Sequence, residues 1–296
     1  MKVKYMIIFV LALVLFIMGC QSDGQQLSGH YKFTGPSAIV VSFAEDAPTE
    51  ASNYYFGDDP ILVEIELKNL GIKTIPQNDI KLKFRGLAAD NSRFTGNKGI
   101  VHPESDLTGI DINGYSETII ASMGDISYKL PIEELSIDPE IEAEICYNYV
   151  ANIKPDFYIT LDPTKLTNTQ IKTGDNPPSP VQITALTVSG GQSDTMRFEF
   201  VVKNVGNGGI VNECFAKQER TTRMEEWVTV NFEPGDKITC SNFDSGNKIK
   251  LRNGEKRVRC EIQVDPSNVD YSKTVPIDLG FTYETSILKE IEIVRP

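Results

Sequence analysis

Asp59-Pro-Ile-Leu-Val-Glu-Ile-Glu-Leu-Lys-Asn-Leu-Gly71 aligns without a gap with Asp194-Thr-Met-Arg-Phe-Glu-Phe-Val-Val-Lys-Asn-Val-Gly206, at an offset of 135 residues. Asp, Glu, Lys, Asn and Gly fall in register. Apolar residues recur at every second position, the pattern of a strand with one buried face. In the second copy Met196, Phe198, Phe200 and Val202 form the inner set. In the first, the choice lies between Leu62 and its alternating partners Ile61, Val63, Ile65 and Leu67. Two further landmarks follow in the same order. Gly114-Tyr-Ser-Glu-Thr-Ile-Ile120 lines up with Gly254-Glu-Lys-Arg-Val-Arg-Cys260, and Glu144-Ile-Cys-Tyr-Asn-Tyr149 with Gly280-Phe-Thr-Tyr-Glu-Thr285. Three landmarks spaced by about one domain length predict tandem copies. The boundary falls at Thr173-Gly-Asp-Asn-Pro-Pro-Ser-Pro180, where three prolines remove backbone donors and stiffen the chain into a short, semi-rigid linker.

Outside the repeat the chain reads the same way. Period-two runs cover Ile80 to Phe84, Ile141 to Tyr149 and Val275 to Tyr283, rich in the residues that suit a pleated, half-buried surface. Turn-forming pieces such as Asn113-Gly114 and Asn253-Gly254 separate them. No segment keeps a 3.6-residue apolar period; short helices are expected only at Ile132–Leu135 and Gln218–Trp227. About seven short strands per copy predict an all-β chain of two tandem immunoglobulin-like β-sandwiches. The expected domains are 36–172 and 181–296, joined by 173–180 and preceded by a linker at 21–35.

Residues 1–20 are of another kind. Met1-Lys-Val-Lys-Tyr5 is basic, Met6 to Met18 is apolar, and Gly19-Cys20 follows. A basic start, about a dozen apolar residues and a small residue before the cut describe a secretory signal. Cys directly after Gly19 makes it similar to a lipoprotein signal, in which Cys20 receives lipid and becomes the new N-terminus. The alternative is an uncleaved tilted helix, although the apolar run is short of the ~20 residues a span needs. Both readings put residues 21–296 outside the cytoplasm, tethered to the cell membrane.

Cysteine usage agrees. Beyond Cys20 remain Cys146, Cys214, Cys240 and Cys260, an even number that permits two disulfides in an oxidising compartment. Alternation turns Cys260 inward with Val258, Ile262 and Val264, and Cys240 inward with Ile238. A bridge between two of Cys214, Cys240 and Cys260 is expected, leaving Cys146 free or bridging the copies. The chain carries 29 Lys and Arg against 41 Asp and Glu, a net charge of −12. That balance repels nucleic acid and anionic headgroups.

The strand ending in Asn-x-Gly, with no antibody-type Cys/Trp core, resembles the adhesion-type immunoglobulin-like modules of archaeal surface proteins. Ile39-Val-Val-Ser-Phe-Ala-Glu-Asp-Ala-Pro48, Val63-Glu-Ile-Glu-Leu-Lys-Asn69 and Ile145-Cys-Tyr-Asn-Tyr149 together look like uncharacterised archaeal envelope proteins. In that family the Cys-Tyr-x-Tyr strand is followed by a second Cys before Ile-Asp-Pro. Here Thr160 occupies that place in Tyr158-Ile-Thr-Leu-Asp-Pro163, which leaves Cys146 without a partner in its own copy. The resemblance implies a fold and a location, and no activity.

Reactive constellations are sparse. His30 and His102 stand apart, outside any metal-ligand spacing, and there is no Gly-rich phosphate loop or Cys-x-x-Cys. Asp106, Asp111, Asn113 and Glu117 surround a Gly turn in a partial match to a calcium loop, with Thr108 and Ile110 where oxygen ligands belong. Asp58-Asp59 and Glu133-Glu134 read as charged edges that block sheet pairing. Tyr54, Tyr55 and Phe56 form a candidate aromatic binding loop, and Trp227 reads as a core or end-capping residue. The expectation is a non-enzymatic protein without a cofactor. It would act as an adhesion, binding or spacer module contacting protein or glycan at the cell surface. The alternative is self-association into a surface fibre or layer by β-strand addition.

Overall fold

A computed structural model describes residues 35–45, 47–48, 54–111, 114–159, 176–190, 194–216, 226–264 and 271–295. The N-terminal segment with Cys20 and His30, and also Asn113, Thr160 and residues 217–225, lie outside the described residues. The strands of the first copy are β1 (Ile39–Phe43), β2 (Tyr54–Phe56), β3 (Ile61–Asn69), β4 (Ile80–Arg85), β5 (Phe94–Thr95), β6 (Thr118–Tyr128), β7 (Ser136–Ile137), β8 (Glu140–Ile153) and β9 (Asp156–Ile159). In the second copy they are β10 (Val181–Gly190), β11 (Thr195–Asn204), β12 (Gly209–Val211), β13 (Glu226–Phe232), β14 (Ile238–Cys240), β15 (Lys248–Leu251), β16 (Glu255–Gln263), β17 (Tyr271–Thr274), β18 (Ile277–Glu290) and β19 (Glu292–Val294). The chain is all-β, with 3-10 turns at Gln77–Asp79 and Gly86–Ala89. Of the two expected helices, residues 218–225 of the second lie outside the described residues. Ile132–Leu135 is irregular, too short to repay the cost of a helical nucleus, and Glu226 and Trp227 open β13.

Each copy builds one four-stranded sheet, β1-β3-β6-β5 and β10-β11-β16-β14, which correspond strand for strand. Ile61, Val63, Ile65 and Leu67 face inward on β3, and Met196, Phe198, Phe200 and Val202 on β11. The alternation of β3 survives because the irregularity at Val63/Glu64 is absorbed by β6, where Met123 and Gly124 (φ 91°) bulge together.

The repeat has a mechanical reason. Asn69 Oδ1 accepts the Gly71 N–H while its Nδ2 donates to the carbonyls of Lys73 and Leu107. Asn204 closes the same turn, accepting from Gly206 N and donating to the Gly208 carbonyl. A Cβ at Gly71 would run into Tyr149 Oη, and one at Gly206 into Tyr283 Oη. Lys-Asn-x-Gly is thus a self-bonded turn pressed under a tyrosine. Tyr149 and Tyr283 are the equivalent residues, two positions away from the alignment of Tyr147 with Tyr283 that the sequence suggests. A shift of two keeps every side chain on its face.

The central sheet departs from the sequence expectation. It runs β15-β13-β18-β8-β4, with β12 beside β18, and so draws on both copies. One antiparallel register holds from Ser136 opposite Val294, through Asn148 opposite Thr282, to Ile159 opposite Tyr271. Because the paired segments are themselves equivalent, a local two-fold axis passes near Asn148–Thr282. β8 pairs β4 on one edge and β18 pairs β13, so each would present a long open edge if its copy stood alone; pairing them with each other removes both edges. The buried faces of all three large sheets form one apolar cluster, and Tyr31–Pro296 is one compact unit. Two separately closed sandwiches on a linker therefore do not describe this chain.

The prolines at the boundary also serve otherwise than expected. Asn176 and Ser179 are 6% and 0% exposed. Asn176 bonds both the N–H and the carbonyl of Ile183, and Ser179 Oγ bonds both groups of Val181. Side chains here take the place of a neighbouring strand along β10. Ser37 does the corresponding job on the Ile39 carbonyl at β1.

Two disulfides form, Cys240–Cys260 and Cys146–Cys214. The first joins directly opposed residues of β14 and β16, a pair drawn from the three cysteines of the second copy. The second takes the bridging alternative for Cys146 and ties the copies together. Both fit an oxidising, extracytoplasmic setting. Among the described residues no helix is long and apolar enough to cross a membrane.

Candidate functional site: a groove over the seam

On β8, odd-numbered residues from Ile141 to Ile153 face the core, so Asn148, Val150 and Asn152 face away from it. β18 does likewise with Asp278, Gly280 and Thr282, and β13 with Trp227 and Thr229. Of these, Asn148, Val150, Gly280, Thr282, Trp227 and Thr229 floor a groove of ≈ 400 Å³, walled on one side by Lys73 to Pro76 and Asp79 and on the other by Val211, Asn212 and Lys248. Its volume lies in the ~300–1,000 Å³ range of small-ligand sites. Pro76 and Val211 are equivalent at the offset of 135, so the groove straddles the local two-fold axis and draws its walls from both copies.

Hydrogen bonds fix its polar groups. Thr282 Oγ1 donates to Asn148 Oδ1 at 2.8 Å, and Asn148 Nδ2 donates to Asp79 Oδ1 at 3.0 Å. Beyond Val150, Asn152 Nδ2 donates to Asp278 Oδ1 at 2.6 Å, and Lys73 Nζ lies 3.6 Å from Asp278 Oδ2. Gly280 leaves a gap mid-floor, where a Cβ would meet Thr229 and Val150 at ordinary contact distances of 3.6 and 3.9 Å. Lys250 Nζ lies 5.9 Å from the Trp227 ring centroid. Trp227, expected in the core or capping a sandwich end, is half-buried and lines the groove. The signal was present, because Val228, Val230 and Phe232 form the inner set and leave Trp227 outside.

A second polar cluster lies further along the same face. Glu144, only 4% exposed, pairs with Lys83 at 3.0 Å and Arg85 at 2.9 Å. The Phe215 N–H donates to Glu284 Oε2, and Lys83 Nζ stands 4.2 Å from the Phe215 ring centroid. Burial, then the neighbouring Glu144 carboxyl, pushes the Glu284 carboxyl up, against the pull of the Phe215 N–H and Lys83. The Cys146–Cys214 bridge closes this cluster, which neutralises itself and secures the strap that follows β12. The outer face of the second four-stranded sheet is also self-paired. Arg257 and Arg259 both grip Glu199, and Arg197 bonds Glu261; the Arg259 hydrogen bond leads in holding the Glu199 carboxyl below its ordinary range.

The other sequence candidates are dispersed. Tyr54, Tyr55 and Phe56 lie in β2, paired parallel with β19, with Phe56 exposed and Tyr55 packed on the core; they form a strand in place of the expected loop. Asp59 Oδ2 accepts from the Phe56 N–H. Asp106 accepts the Gln77 N–H, and Asp111 accepts the Tyr115 N–H. Glu117 is exposed, and no group of three potential metal ligands occurs among the described residues. His102 Nδ1 lies 2.8 Å from the Ile80 carbonyl. No family model matches the chain and no curated protein matches it.

Proposed function

We propose that this protein is a non-enzymatic binding module of the cell surface, held to the membrane through Cys20, whose ligand seats in the groove over the seam. The observation that carries this reading is the convergence of side chains from both copies, Trp227 among them, on one preorganised concavity. The lipoprotein-type start and the two disulfides support the location. The halves read as immunoglobulin-like sandwiches in which each contributes the edge strand the other lacks, and the likeness to archaeal envelope proteins fits that setting.

Fibre assembly by strand addition is the weaker reading. Among the described residues, several edges that would template it are occupied: β10 by Asn176 and Ser179, β4 by Val101 bonding Leu82 through both backbone groups, and β15 by Asp244 accepting the Lys250 N–H. The full-length protein in detergent tests the choice. Envelope material should shift the emission of Trp227, the only tryptophan, while light scattering shows one chain per particle. Unchanged emission, or elongated assemblies that resist detergent, would refute the binding reading. Intact mass of the N-terminal peptide checks the anchor. A lipid-bearing peptide beginning at Cys20 is expected, and one beginning at Met1 indicates an uncleaved helix.

A further inference from the structure

The geometry points to an uncharged carbohydrate, a hexose-containing oligosaccharide, as the ligand of the seam groove; the assignment rests on the binding reading above. The floor is the face of a sheet whose backbone groups are already spent on the β8–β18 and β18–β13 ladders. A peptide strand would find no main-chain partners there, and the blocked edges deny it a flank. Recognition must come from side chains, and besides Lys73 and Lys248 on the walls those on offer are amide, carboxylate and hydroxyl, among them Asn148, Asp79, Thr229 and Thr282. Sugar hydroxyls, each both donor and acceptor, match such a mixed set, whereas an apolar ligand would strip it of water without return.

Charge favours a neutral ring. Lys73 is paired with Asp278 just outside the lining, and Lys248 stands on the wall opposite Asp79, so no cluster of one sign is on offer to hold an anion. The Trp227 indole supplies the apolar surface on which the C–H face of a pyranose stacks. With no side chain at Gly280 the floor stays low between Val150 and Thr229, so a ring can lie across it.

The test uses full-length protein in detergent, read by Trp227 emission and calorimetry against a panel of neutral, acidic and amino-sugar oligosaccharides. A neutral member should bind, with affinity changed less than about twofold between low and high salt. Gly280→Val, whose methyls enter the groove, and Asn148→Ala should each weaken binding about tenfold or more. Melting curves that match the parent's verify that Gly280→Val and Asn148→Ala are folded, which separates blockage from misfolding. Binding confined to acidic glycans, or equal binding by Gly280→Val, would overturn the assignment. So would an envelope fraction that shifts Trp227 emission and loses that power to protease but not to glycosidase. That last result would leave the binding reading standing, whereas silence of Trp227 toward every fraction would remove both.

Discussion

Asn69 and Asn204 do the same work at different depths. Asn69 is fully buried and makes three bonds, Asn204 is half-buried and makes two. Stranding buried backbone partners costs ~1–3 kcal/mol apiece, so Asn69→Ala should lose about 2–4 kcal/mol in urea unfolding and Asn204→Ala about half that. The Lys-Asn-x-Gly turn was legible because, Leu107 apart, both ends of its hydrogen bonds lie within five residues. Its tyrosine lid was not, because Tyr149 reaches Gly71 only through the fold. Glu226 carries a second prediction. Its Oε2 is buried without a hydrogen-bond partner among the described residues, and burial pushes its carboxyl above the ordinary 4.5, opposed by the Gly254 N–H. The folded chain therefore holds that proton more tightly than the unfolded one, and stability falls as pH rises from about 4.5 through the shifted value. Glu226→Gln should match the parent near pH 4 and melt higher at pH 8, by about 2 °C.

At the scale of elements, the edge of β10 shows how composition misleads. Asn176-Pro-Pro-Ser-Pro180 has the make-up of a linker, yet it lies buried as a surrogate strand. Pro36-Ser-Ala-Ile39 and Pro178-Ser-Pro-Val181 are a further repeat, too short to stand out beside the longer one, and its serines recur because each start of strand needs the same capping. Removing the caps should have two consequences. Asn176→Ala and Ser179→Ala should each cost about 1 kcal/mol, and the double variant should form concentration-dependent oligomers in sedimentation velocity as the bared edge of β10 finds partners. Monomers throughout the concentration range would mean that other parts of β10 already protect it.

For the whole molecule, alternation made the all-β class and the two-copy plan legible, and it oriented Cys240 and Cys260 correctly. It could not reveal that β8 and β18 pair, since period two says which face of a strand is buried and nothing about which strand lies beside it. The shared sheet predicts one calorimetric transition for residues 31–296, and residues 36–172 made alone should lack a cooperative melt. Two separated transitions would restore independent domains. Replacing Cys146 and Cys214 together by Ser should lower stability by about 2–4 kcal/mol while keeping a single transition, because the 68-residue separation they close is entropically large when open. The long ribbon also dictates a timetable. Its partners lie between 112 residues apart, at Ile159 and Tyr271, and 158 apart, at Ser136 and Val294, so the first copy must wait for the second to be synthesised before its middle strand is satisfied. A nascent chain of this design stays open along β8 while its first half is being made, and it locks only once its last strands have emerged.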